Sequence, residues 1–122
     1  MDRMTATKQY LTQTGLLHKC FDDEAPCLQH TIETLEMLGA EIIREAFSTK
    51  AGRADVLACY RGWFVAAECK SATGELSRQQ QQFLDKITRA GGCALEVRCM
   101  HDIISTLEQL PNLRDWENDL LV

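Results

Sequence analysis

Arg53-Ala54-Asp55-Val56-Leu57-Ala58-Cys59-Tyr60-Arg61-Gly62-Trp63-Phe64-Val65-Ala66-Ala67-Glu68-Cys69-Lys70 reads as two apolar runs joined at a two-residue break. Residues 53–60 and 63–70 predict two strands, and Arg61-Gly62 predicts their turn. If Tyr60 faces Trp63 across that turn, paired positions sum to 123 and Asp55 lies opposite Glu68. Directly opposed residues hold their Cβ atoms roughly 4.5 to 5.5 Å apart on one face. Glu68 and Lys70 are two residues apart, so they share that face as well.

Further elements follow on either side. Thr5 to Gly15 suits a short helix or a loose arm. Asp22-Asp23-Glu24-Ala25-Pro26 has the acids and the proline of a helix start. Leu28, Ile32, Leu35 and Leu38 continue at helical spacing until Gly39. Ala40 to Phe47 predicts a first strand and Ser48 to Gly52 a polar loop. Beyond Lys70, Ser77 is a fair N-cap for a helix reaching about Ala90, with Phe83, Leu84 and Ile87 on its apolar face. Cys93 to Arg98 predicts a fourth strand, and Asp102 to Leu110 a closing helix. The order α-β-β-β-α-β-α predicts an α/β fold, a mixed sheet of about four strands flanked by helices. The helix before the last strand permits a parallel crossover.

With 122 residues, the chain is expected to form one domain over 1–122. Its core is expected at about 24–110, followed by a partly packed acidic tail, 111–122. Hydrophobic residues make up 45% of the sequence, with two prolines and no biased tract, which argues against wholesale disorder. No apolar run approaches the roughly 18 to 20 residues of a membrane span. The first residues lack the apolar core of a signal peptide, so a soluble, intracellular protein is expected. Six cysteines occur without a C-x-x-C pair and are read as reduced thiols, with Cys59 and Cys69 as small hydrophobes within strands. His18, Cys20, Cys27 and His30 have the donors for zinc, but their spacings match no standard motif.

The formal net charge of -5 argues weakly against nucleic acid, but the charge is uneven. Residues 44–98 carry nine basic and six acidic side chains, a local +3, while the segments on either side each carry -4. A protein that acts on phosphates needs positive charge where they lie, not everywhere.

An edge hairpin with its polar face in solvent would make Asp55 and Glu68 ordinary surface acids. The flanks oppose that reading. Val56 to Cys59 and Phe64 to Ala67 are apolar enough to predict burial on both faces. Acids within such strands need a partner or a task. Paired carboxylates repel unless a cation offsets their charge, and Mg²⁺ favours oxygen ligands with waters and phosphate oxygens. Lys70 beside them could bind a phosphate or orient a water.

Gly52-Arg53-Ala54-Asp55, Glu68-Cys69-Lys70 and Gly74-Glu75-Leu76-Ser77-Arg78-Gln79-Gln80 together resemble the VRR-NUC branch of the PD-(D/E)XK nucleases. That family shows G-x-x-D, then E-x-K, then G-x-L-S-x-x-Q opening a helix. The resemblance covers roughly residues 27–98. It implies a restriction-endonuclease-like core and a metal-dependent endodeoxyribonuclease. Asp55, Glu68, Lys70 and Gln80 would form the catalytic set. Asp55 and Glu68 would ligate Mg²⁺ or Mn²⁺. In such enzymes the first helix often supplies a further acid before a glutamine. Here Glu24 precedes Gln29, while Ala25 and Pro26 stand nearest the expected position. Arg53, Lys50 and Arg78 are candidate DNA contacts.

Small stand-alone members, as in phages, look like homodimeric endonucleases of branched DNA such as Holliday junctions or flaps. The resemblance therefore implies DNA and a second copy of the chain as partners, and the cytoplasm of a bacterial or phage-infected cell. A DNA-binding or assembly module that keeps the fold without cutting is the alternative.

Overall fold

The computed structural model describes residues 1–45 and 54–113, with Arg44 and Glu45 described by their backbone alone. The predicted strand-loop segment 46–53, which includes Lys50 and Arg53, and most of the acidic tail lie outside the described residues.

Eight elements occur: α1 (Arg3–Gln13), α2 (Glu24–Met37), β1 (Glu41–Glu45), β2 (Val56–Tyr60), β3 (Trp63–Cys69), α3 (Arg78–Arg89), β4 (Cys93–Val97) and α4 (Met100–Leu107). The sheet order is β1-β2-β3-β4. The first three strands run antiparallel, and β4 lies parallel to β3 after the α3 crossover. This is the mixed, helix-flanked α/β sheet expected from the sequence.

The hairpin register is the predicted one. Val56 pairs with Ala67, and the ladder runs to Tyr60 against Trp63. Arg61 (φ 50°) and Gly62 (φ 89°) both adopt positive φ, which a two-residue type I′ turn requires. A Cβ on Gly62 would also come within 2.9 Å of Leu113 Cβ. The tail holds the hairpin at this point: Leu113 N donates to Arg61 O at 2.9 Å, and Trp63 Nε1 donates to Pro111 O at 2.9 Å.

Strand alternation divides the packing into two layers. Val56, Ala58, Val65, Ala67, Cys69, Leu95 and Val97 face the main core, beneath α1, α2 and α4. Ala66 faces the other way and packs with Ala54 and Leu84; Leu57, Phe83, Ile87 and Ala94 join this smaller cluster beneath α3.

Three expectations change. Residues 5–15 belong to a packed helix rather than a loose arm: α1 starts at Arg3, Asp2 caps it by accepting Thr5 N–H at 2.7 Å, and Leu11 is fully buried. The closing helix starts at Met100 instead of Asp102. Asp102 is its third residue and reaches back to accept the backbone N–H of Arg98 (2.9 Å) and Cys99 (3.2 Å). Finally, β2 and β3 are not buried on both faces throughout. Because α3 lies over β3 and β4, Cys59 and Phe64 near the turn stay exposed.

Candidate active site

The chemistry-bearing side chains gather beyond the carboxyl ends of β3 and β4. Ligands in open α/β sheets commonly bind there. The β2–β3 ladder ends at Val56 against Ala67. Asp55, one residue further out, turns its side chain inward, and Oδ2 accepts the Cys69 backbone N–H at 2.8 Å. Glu68, on the same face by alternation, is 1% exposed. Gln80 Nε2 donates to Glu68 Oε1 at 2.7 Å, while the buried Glu68 Oε2 has no donor when both acids are ionised.

Burial, first, then the charge of Asp55 and a hydrogen bond with it push the Glu68 carboxyl up to about 8. Burial also raises Asp55, against the opposing Cys69 N–H and the hydrogen bond with Glu68. Ionised carboxylates cannot donate, but a proton on Glu68 supplies the bond to Asp55. The pair therefore holds a proton near neutral pH when nothing else offsets its charge.

Lys70 follows where β3 ends, and its backbone N–H donates to Val97 O at 2.9 Å. Its side chain is nearly buried, with Nζ 3.4 Å from Glu24 Oε1 and 3.9 Å from Glu68 Oε1. Glu24 opens α2 and is half exposed, so α2 contributes to the site through its first turn. Among the described residues, no three His, Cys, Asp or Glu side chains converge as a metal cluster. Glu24 contacts Lys70, and its charge also raises both Asp55 and Glu68. The reason is positional: its helix starts beside the ammonium.

Gln80 reaches the carboxylates because α3 starts at their edge. Ser77 Oγ accepts Gln80 N–H at 3.1 Å, and Gln80 Oε1 accepts Ser77 N–H at 2.8 Å, a complete capping box. Arg78, the first residue of α3, is exposed.

Two features escaped sequence reasoning. One is the link from the Ser77 cap to Glu68. Its signal was present, since Ser77 and Gln80 have capping-box spacing three residues before an apolar face. The other is Arg98, whose Nη1 donates to Ser71 O at 2.7 Å and whose Nη2 lies 2.6 Å from Glu96 Oε1. Arg98 ties down the loop after Lys70, which Ala72 N also anchors by donating to Phe21 O at 2.7 Å. No local signal marks a contact 27 residues apart.

Behind the site, the buried Cys69 Sγ lies 3.4 Å from Thr31 Oγ1 on α2. A hydrogen bond with Cys27, together with burial, pushes the Cys69 thiol well up, so it packs as an unreactive side chain. The zinc candidates separate: the His18 ring lies tilted against His101, His30 stacks on Phe21, and Cys27 Sγ donates to Val97 O.

This chain matches no known protein family, characterised protein or solved structure. No described helix is long and apolar enough to cross a membrane.

Proposed function

We propose that this protein is a Mg²⁺- or Mn²⁺-dependent endodeoxyribonuclease of the PD-(D/E)XK type, similar to the VRR-NUC nucleases and acting on branched DNA. The supporting observation is the buried Glu68, its Oε2 orphaned, beside a half-buried Asp55 and flanked by Lys70 and Gln80. A buried acceptor without a donor costs roughly 1–3 kcal/mol or more, so it needs a proton or a cation. The donors fit a hard divalent ion, which commonly takes one or two carboxylates and completes its shell with water and phosphate oxygens.

Asp55 and Glu68 would hold the cation, whose chemistry is to polarise the scissile phosphate and its attacking water. Lys70 sits where its ammonium offsets the charge that develops on phosphate oxygens. Gln80 keeps Glu68 in place. Branched DNA and a two-fold dimer rest on the resemblance, since two identical sites suit a substrate with two symmetric strands.

A cleavage assay tests this reading on duplex, flap, four-way-junction and single-stranded DNA, with Mg²⁺, Mn²⁺ or chelator. Metal-dependent cutting strongest on branched substrates is expected, and Glu68→Ala and Lys70→Ala should abolish it. Full cleavage by either variant refutes the assignment. Salt-dependent DNA binding without cleavage in either metal favours the non-cutting module.

A further inference from the structure

The side-chain amide of Gln80 is bonded at both ends. Its Oε1 accepts Ser77 N–H at 2.8 Å, and its Nε2 donates to Glu68 Oε1 at 2.7 Å. Ser77 Oγ closes the box by accepting Gln80 N–H at 3.1 Å. A backbone N–H can only donate, so the cap dictates which end of the amide faces Ser77. The NH₂ end must then face the carboxylate.

We propose that Ser77 is a positioning residue for the metal site. Its hydroxyl fixes the first turn of α3, which places its own backbone N–H to hold the Gln80 amide; Gln80 then occupies Glu68 Oε1 and leaves the buried Oε2 without a donor, available to the cation. The proposal rests on the metal-dependent reading above. Lys70 Nζ lies nearest the same Oε1, at an ion-pair distance of 3.9 Å, so both positive partners favour one oxygen. A free glutamine side chain loses rotamer freedom when fixed. The cap bears that cost, and the bond to Glu68 forms from a side chain already held. This also accounts for glutamine at position 80. Glutamate serves equally well in a capping box, but it would set a third carboxylate against Glu68.

The first test uses the ¹⁵N-labelled full chain without metal and follows exchange of the Gln80 side-chain amide protons with water. Slow exchange is expected in the natural protein, fast exchange in Ser77→Ala, and slow exchange again in Ser77→Thr, which keeps the hydroxyl. Unchanged slow exchange in Ser77→Ala overturns the proposal. The second test measures Mn²⁺ binding by calorimetry. Ser77→Ala should bind about tenfold more weakly, the usual loss when a residue supporting a ligand is removed. Ser77→Thr should bind as the natural protein does. A merely structural cap would lower Tm by a few degrees and leave Mn²⁺ affinity unchanged, and that result also overturns the proposal. If the natural protein binds no Mn²⁺, the metal-dependent reading fails, and so does the metal-site role of Ser77. Amide exchange then reports only whether Ser77 orients Gln80.

Discussion

Gln80 Nε2 lies 2.7 Å from Glu68 Oε1, and this one bond makes the two oxygens of a buried carboxylate unequal. Oε1 has a donor on α3 and the Lys70 ammonium at an ion-pair distance of 3.9 Å, whereas Oε2 has no donor. A group so buried and half satisfied makes the stability of the protein depend on what neutralises it.

Metal-free protein should become less stable as pH rises. Glu68 titrates at about 8 in the folded chain against an ordinary value of 4.5. Between those values the native state binds more protons than the unfolded state. The stabilisation is therefore complete below about 4.5 and is lost as pH rises through about 8. Thermal melts in chelator at the acid and alkaline ends of this window should show the fall. Mn²⁺ should flatten the dependence by taking the place of the proton. A Tm that climbs with pH in chelator would contradict the assigned shift.

Glu68→Gln should separate stability from activity. The amide cannot ionise, so alkaline metal-free protein should melt at or above the temperature of the natural chain. DNA cleavage should disappear because a ligand oxygen is lost. A variant that still cuts with Mn²⁺ would remove Glu68 from the site.

Glu24→Gln should leave Mn²⁺ affinity nearly unchanged. Glu24 touches Lys70 at 3.4 Å and its side chain is 55% exposed. Lys70 is nearly buried but keeps Glu68 as a second partner, so loss of the half-exposed Glu24 should lower Tm only modestly. The expected effect is on kcat, through a less restrained Lys70. An affinity loss of about tenfold would instead make Glu24 a ligand.

Arg61→Asn should stabilise the hairpin. Arg61 holds φ 50°, a conformation costing roughly 1–2 kcal/mol for most residues but less for asparagine. A gain on the order of 0.5 kcal/mol in urea unfolding is expected after loss of the guanidinium contact with the Tyr60 ring. A destabilised variant would mean that this cation–π contact outweighs the turn strain.

Most of the fold is legible in the sequence because it depends on local chemistry. Alternating apolar residues, a turn at Arg61-Gly62, a cap at Ser77 and a stop at Gly39 each act within a few residues. The hairpin register follows from the turn length alone, and that register is enough to bring Asp55 and Glu68 together. The exposure of Cys59 is illegible for the opposite reason. It depends on where α3 lands, and alternation does not encode that.

What the sequence determined by itself was therefore the hairpin and the Asp55–Glu68–Lys70 constellation, set by period-two geometry around one turn. Tertiary structure decided the rest. It set Glu24 against Lys70, drew Arg98 over the loop at Ser71, and aimed Gln80 at one oxygen of Glu68. Those contacts depend on how separate elements pack, and packing is fixed only when the two sides of the sheet close on their own cores.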